Sequence, residues 1–78
     1  MKKLLEFILK KITGSKDFSV SESTEGTFLT LDVSAKPEII GMIIGKEGKT
    51  IKNIRKILSV RGVLEQKSVR INVTEATS

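Results

Sequence analysis

The chain has 78 residues, a formal net charge of +5, three phenylalanines as its only aromatic residues, and neither cysteine nor histidine. A chain of this length buries only roughly 60–65% of its unfolded surface, so we expect one domain of modest stability. The missing cysteine and histidine exclude disulfides, thiolate nucleophiles, imidazole bases and the usual zinc ligands, so we expect no enzyme, no metal and no cofactor.

The first predicted element is an amphipathic helix over residues 2–13, which Gly14 ends. Its apolar stripe follows the spacing i, i+3, i+4 and i+7 through Leu5, Ile8, Leu9 and Ile12. The apolar run is too short to span a bilayer and lacks a signal-peptide cleavage site, so we expect a cytoplasmic protein. Docking of this helix on a sheet is the favoured interpretation, and binding to an anionic membrane is the weaker alternative.

Two alternating runs then predict a β-hairpin with one buried face. The first run is FSVSE, residues 18–22, and the second is TFLTLDVS, residues 27–34. The segment between them, Ser23 to Gly26, consists of residues that favour turns.

Two helices and a strand complete the predicted order. Pro37 fits the first turn of a helix and predicts a short helix from about Pro37 to Ile43 that ends near Gly45. A second amphipathic helix is predicted after Gly48, with Ile51, Ile54 and Leu58 on its apolar face, and Gly62 is expected to stop it. Residues 67–74, KSVRINVT, alternate again and predict the last strand.

The stretch GMIIGKEGKT, residues 41–50, resembles a nucleotide-binding loop at its end but fails that test on spacing. A Walker-type loop requires a glycine five residues before Gly48, where this chain has Ile43, and a strand rather than a helix leading into it. The remaining motif is Gly45-Lys46-Glu47-Gly48, here called the GxxG loop, between two predicted helices. It lies within a segment from Lys36 to Arg61 that has seven basic and two acidic residues, a balance of +5. Such a segment is typical of an anion-binding surface, although a solvated helix face has the same composition.

The segment IIGKEGKTIKNIR, residues 43–55, resembles the signature of KH domains, whose GxxG loop clamps about four nucleotides by the backbone. The helix before the hairpin resembles the type II arrangement, and length and layout are similar to the small single-domain bacterial KH proteins called KhpA, over residues 2–73. Members usually have small residues after the arginine that ends this signature, where this chain has KILSVRG at residues 56–62.

The resemblance implies an α+β, type II KH fold in which a three-stranded sheet carries its helices on one face. Residues 1–75 would form the single KH domain and residues 76–78 a loose C-terminal end. It also implies a non-catalytic module for single-stranded RNA, without a membrane or a small-molecule substrate. Such a module would act as a homodimer, with another KH-containing protein, or in a larger ribonucleoprotein.

The predicted RNA-binding surface is the GxxG loop with the residues that flank it. Glycines let a sugar-phosphate backbone approach closely, amides at the start of the next helix face the phosphates, and lysines add charge. An apolar groove formed by Ile43, Ile44 and residues of the adjacent strand would hold the bases, and Glu47 is expected to point to solvent. The surface comprises Ile43, Ile44, Gly45, Lys46, Glu47, Gly48, Lys49, Lys52, Arg55 and Lys56.

Other interpretations of these residues stay open at this point. At least one of Ile43 and Ile44 is expected to pack in the core, and Arg55 has an alternative role in capping or pairing within the fold. The competing function is a KH-shaped adaptor that docks a partner protein through its helices and basic patch. No stacking platform is expected near the basic segment, because none of the phenylalanines lies in it.

Overall fold

The computed structural model describes residues 1–76. Within that range it has helices α1 (Lys2–Thr13), α2 (Pro37–Ile44) and α3 (Lys49–Leu64), and strands β1 (Phe18–Glu25), β2 (Phe28–Ala35) and β3 (Ser68–Glu75). A single 3-10 turn, Lys46–Gly48, joins α2 to α3. The predicted α+β class and the order helix, strand, strand, helix, helix, strand are confirmed.

The three strands form one sheet in the order β1-β2-β3. Strand β1 is antiparallel to β2, from the pair Phe18 and Ala35 to the pair Glu25 and Phe28. Strand β3 is parallel to β2, from Phe28 beside Ser68 to Ala35 beside Glu75. Strand β2 is therefore central, and β1 and β3 are the two edges.

The hairpin differs from the prediction in the length of its first strand. The predicted turn, Ser23 to Gly26, is wrong, because Ser23 pairs with Thr30 and Thr24 with Leu29 as the strand continues to Glu25. The loop is two residues, Gly26 and Thr27, and Gly26 has the left-handed φ of 62°. Polar residues at this end of β1 face solvent on an edge strand, which is why their composition resembled that of a turn.

The helices cover one face of the sheet and enclose one core. The side chains that are almost fully buried come from both layers: Leu5, Leu9, Leu31, Val33, Ile43, Ile54 and Leu58. Val20 of β1 and Ile71 of β3 complete the sheet side of this cluster. The opposite face of β2 and β3 has polar side chains at alternate positions, such as Asp32 and Asn72. The predicted packing of helices on one face is confirmed.

Helix α1 is held at both ends. At its start the Lys2 N–H donates to Glu22 Oε2 of β1 at 3.0 Å, so a strand side chain satisfies one of the unpaired helical amides. At its end Gly14 has a left-handed φ of 66° and donates to the Lys10 carbonyl at 2.9 Å. Among residues 1–76 no helix has the length and apolar character needed to cross a bilayer.

Helix α3 runs through Gly62 to Leu64, so the prediction that Gly62 stops it is wrong. Gly62 is buried, and the Lys67 N–H donates to its carbonyl at 2.7 Å. A methyl group on Gly62 would lie 2.6 Å from the Lys67 carbonyl oxygen and 2.8 Å from Val69 Cγ2. This glycine lets the returning chain pass close to the helix, and the turn itself is made by Gln66, whose φ is 56°.

The last strand extends almost to the end of the described residues. Strand β3 ends at Glu75, and Ala76, placed by the prediction in a loose end, still donates its N–H to the Ala35 carbonyl at 2.8 Å. Residues 77–78 of that predicted end lie outside the described residues.

Candidate nucleic-acid interface

The GxxG loop has a backbone that only glycine adopts readily at its first position. Gly45 has φ 74° and ψ 177°, a region that is almost exclusive to glycine. A methyl group there would lie 2.6 Å from Thr50 Cβ and would overlap Thr50 Oγ1. The loop backbone is therefore pressed against the first turn of α3, without a side chain between them.

The rest of the loop turns through two further left-handed residues. Glu47 has φ 57° and Gly48 has φ 74°. The Gly48 N–H donates to the Gly45 carbonyl at 3.2 Å, and the Lys49 N–H donates to the Lys46 carbonyl. Within residues 1–76 the amides of Lys46 and Glu47 have no hydrogen-bond partner, so two backbone donors remain available at the exposed tip of the loop.

Basic side chains surround this loop and continue along α3. The predicted five are all exposed: Lys46, Lys49, Lys52, Arg55 and Lys56. None of them forms an ion pair in the part of the chain that is described; the pair on α3 joins Arg61 to Glu65, four residues apart, at 2.9 Å. Residues 46–56 consequently have five basic side chains against the single carboxylate of Glu47, next to free N–H groups.

An open groove lies between α3 and β3, and Ile44, the residue before the GxxG loop, is among its lining residues. One section has a volume of about 480 Å³ and is lined by Arg55 and Ser59 of α3 and by residues 69–72 of β3. The adjoining section, about 570 Å³, adds Ile44 and Ile51 on the helical side and Val73 on the strand side. Arg55, Ile71 and Asn72 line both sections, so we treat them as one feature, the α3–β3 groove.

The groove follows the free edge of β3. Because β3 pairs only with β2 among the described residues, its other edge presents unpaired backbone N–H and C=O groups. Beside that edge, Asn72 Nδ2 donates to Asp32 Oδ1 at 3.0 Å. A carboxylate can only accept, so this bond turns the amide nitrogen of Asn72 toward Asp32 and leaves the Asn72 oxygen free to accept.

The predicted site residues divide into three groups in the structure. Ile44 is 39% exposed and lines the groove, as does Arg55. Lys46, Glu47 and the three lysines of α3 are exposed, and Gly45 and Gly48 are half-buried. Ile43 is 0% exposed and belongs to the core, so its assignment to the groove disagrees with the structure and the core-packing alternative describes it correctly.

Several groove residues were not predicted from the sequence. The sequence predicts Ile51 only on the apolar face of its helix, and it predicts strand residues in the groove without identifying Arg70 and Asn72 among them. Neither Ser59 nor Asp32 is part of the predicted groove. Asp32 and Asn72 are 40 positions apart, and only the register of the parallel strands brings them side by side. Polar residues at matched outward positions of two predicted strands were the available indication, but it required knowing which strands are neighbours.

Comparison with known proteins assigns the family. The family model for the KhpA/KhpB KH domain matches residues 2–73. The RNA-binding protein KhpA of Clostridium acetobutylicum is 36% identical over 74 residues, which cover 94% of this chain and 99% of that protein. The RNA-binding protein KhpA of Chlamydia pneumoniae is 37% identical over 94% of this chain and 92% of its own length. That of Halalkalibacterium halodurans is 30% identical over 96% of this chain and 100% of its own. These matches confirm the resemblance found in the sequence: the chain belongs to the KhpA/KhpB KH-domain family.

Proposed function

We propose that this protein is a non-catalytic module that binds single-stranded RNA, with the GxxG loop holding the sugar-phosphate backbone and the α3–β3 groove holding the bases. The observation that carries the proposal is the pair of unpartnered amides, Lys46 and Glu47, just before a 16-residue basic helix that lines a groove of mixed apolar and polar residues. Relatives named RNA-binding protein KhpA over nearly the full chain support the choice of RNA.

The loop supplies what a phosphate requires. The two free amides donate to phosphate oxygens, and the positive end of the α3 dipole lies behind them. Gly48 leaves room for close approach, because a methyl group there would meet only Ile51 Cγ2 at 4.0 Å, whereas Gly45 lets the loop backbone lie against Thr50. Lys46 and Lys49 add mobile charge, which strengthens binding without selecting a base sequence.

The groove supplies what the bases require. Ile44 and Ile51 give it an apolar wall, Arg55 contributes a planar cation that stacks on bases or reaches phosphates, and the free edge of β3 offers backbone donors and acceptors. Asn72, turned by Asp32, adds an amide acceptor at the strand side. Because the groove lacks an aromatic residue among its described lining, binding depends on these polar contacts and the aliphatic wall.

Fluorescence anisotropy at two salt concentrations, with an eight-nucleotide single-stranded RNA of mixed base sequence, tests the proposal. The variant Lys46→Asp/Glu47→Asp changes the loop charge by two units, and Lys36→Asp makes the same change at the other end of α2. We expect the loop variant to lose most binding and the control to keep it, with a salt slope for the wild type of about −0.7 per neutralised phosphate. Equal weakening of both variants, or no binding by the wild type, would reject the loop as the RNA clamp.

The partner that we propose is a second copy of the chain or another KH-containing protein, and the surface is the solvent side of α3. Ile57, Val60 and Leu64 are 49%, 64% and 74% exposed and follow the spacing i, i+3 and i+7. This apolar stripe begins in the KILSVRG segment, where the chain departs from the small residues usual in the family. Burial of an exposed apolar stripe is a common reason for association.

Sedimentation velocity of the wild type and of Val60→Lys tests this surface. We expect the wild type to form dimers at micromolar concentration and the variant to be monomeric, with Thr24→Lys on β1 as a control that keeps the dimer. If neither protein self-associates, the stripe would instead contact a different KH-containing partner or a partner protein of the adaptor function. Salt-insensitive binding to a protein, without RNA affinity, would favour the adaptor.

We place the protein in the cytoplasm with its RNA, and cell fractionation tests this placement.

A further inference from the structure

A second basic surface lies on α1, at the edge of the sheet away from the α3–β3 groove. Residues 1–17 contain five lysines and two acidic residues, a balance of +3. Residues 18–35 contain three acidic residues and no basic one, a balance of −3. The two segments cancel in the net charge, but they form different elements, so the folded protein has positive charge on α1 and negative charge on the hairpin.

Phe7 is the centre of this basic surface. Its side chain is 60% exposed, and Lys11 Nζ lies 5.5 Å from the centroid of its ring. A shallow cavity of about 420 Å³ on one side of the ring is lined by Lys3, Lys10 and Lys16, with Glu6 and Phe18. A second, of about 360 Å³, is lined by Lys10, Lys11 and Gly14. Phe7 is therefore an exposed aromatic ring that borders two shallow cavities and has four lysines around it.

We propose that Phe7 stacks a nucleobase of single-stranded RNA, while the lysines around it contact the adjacent phosphates. Stacking on an aromatic side chain with basic residues along the backbone is the general mode of sequence-tolerant single-strand binding. Because a GxxG loop takes about four nucleotides, this contact would be made by the part of a longer strand that extends beyond the groove. The stacking contact rests on RNA being the ligand of the protein and not on the GxxG loop, whereas its restriction to the longer RNA rests on the loop and the groove holding the first nucleotides.

RNA fits this surface better than an anionic membrane. A helix that lies on a bilayer presents a continuous apolar face to it. The apolar residues Leu5 and Leu9 of α1 are 0% exposed and are packed in the core. Around Phe7 the exposed neighbours on the helix are charged, so the surface offers one flat ring among cations rather than an apolar face.

The test compares single-stranded RNAs of eight and twenty nucleotides by fluorescence anisotropy with wild-type protein and three variants. Phe7→Ala removes the ring, and Phe7→Trp keeps a stacking surface. Phe28→Ala is the matched control, because Phe28 is 61% exposed on the hairpin, where it pairs with Glu25 of β1 and Ser68 of β3, outside the basic surface of α1. Both phenylalanines are exposed, so neither truncation opens a cavity in the core.

We expect Phe7→Ala to bind the twenty-nucleotide RNA about tenfold more weakly than the wild type, the size of one lost base stack. Its affinity for the eight-nucleotide RNA should change less than twofold, and Phe7→Trp and Phe28→Ala should match the wild type with both. Equal behaviour of Phe7→Ala and Phe28→Ala with the long RNA would overturn the inference. The inference would also be overturned if Phe7→Ala, and not Phe28→Ala, lost binding to phosphatidylglycerol vesicles while its affinity for RNA stayed unchanged. Failure of the loop variant to affect the short RNA instead rejects the clamp and leaves this inference standing.

Discussion

Replacement of Gly45 by alanine is the sharpest test of the loop geometry. The change keeps the charge, the helix lengths and the lysines, and adds one methyl group. That methyl would lie 2.6 Å from Thr50 Cβ and overlap Thr50 Oγ1, at a backbone conformation that L-residues avoid. The variant therefore has to strain the loop, move the first turn of α3, or both.

The expected loss in the free energy of unfolding has two separate contributions. A residue forced into such a backbone conformation costs about 1–3 kcal/mol, and overpacking against a fixed neighbour costs about 1–3 kcal/mol more. A domain of this size has a total stability of roughly 4–12 kcal/mol, so a loss of about 2–6 kcal/mol is a large fraction of it. Each kcal/mol lowers Tm by about 4–8 °C in a small domain, which predicts a fall of at least about 8 °C.

Thermal unfolding followed by circular dichroism at 222 nm measures this loss. Gly41→Ala is the control, because Gly41 lies inside α2 with ordinary helical backbone and nothing within 4 Å of an added methyl. It should raise stability by about 0.5–1 kcal/mol, as alanine does in a helix interior. Unfolding of Gly45→Ala within 2 °C of the wild type would refute the geometry described for the loop.

Three further variants probe other parts of the structure. Gly62→Ala should lower the free energy of unfolding in urea by about 1–3 kcal/mol, because its methyl meets the Lys67 carbonyl; an unchanged midpoint would contradict the close passage of that segment. Glu47→Asn should raise the free energy of unfolding by up to about 1 kcal/mol, since asparagine tolerates the left-handed φ. In anisotropy it should also bind RNA more tightly, because it removes a negative charge beside the phosphates. Weaker binding would show that the carboxylate has a positive role. Asn72→Ala should leave Tm within 2 °C of the wild type. It should also reduce the differences in affinity among eight-nucleotide RNAs that each contain a single base type, and unchanged differences would show that Asn72 does not recognise bases.

The elements were largely predictable because their apolar periodicity is strong. The stripe of α1, the alternation of β2 and β3 and the proline at the start of α2 each identified an element to within a few residues. Errors arose where one residue type serves two structural purposes. Ser23 and Thr24 favour turns but also pair on a solvent-facing edge strand, and Gly62 ends many helices but here provides close approach to the returning chain.

The loop of the candidate site was predictable and the groove was only partly so. A GxxG loop is local, so its glycines and lysines appear in one short segment of the sequence. The groove is made by α3 and by the free edge of β3, and its strand side depends on the parallel register with β2. Ile43 and Ile44 are adjacent and chemically identical, so only the rotation of α2 decides that the first is in the core and the second in the groove.

The parallel pairing of β2 with β3 also has a consequence for how the protein folds. The β1–β2 hairpin closes through a two-residue loop and forms from local contacts, on a timescale of about 1–10 μs. Every β2–β3 pair joins residues 40 positions apart, with both helices and the GxxG loop between them, so this pairing waits for the intervening chain to collapse. The groove has β3 as one side and α3 as the other, and it comes into existence only when that slow step is complete. A nascent chain that has formed its hairpin alone therefore has no groove, because β3 is not yet paired with β2.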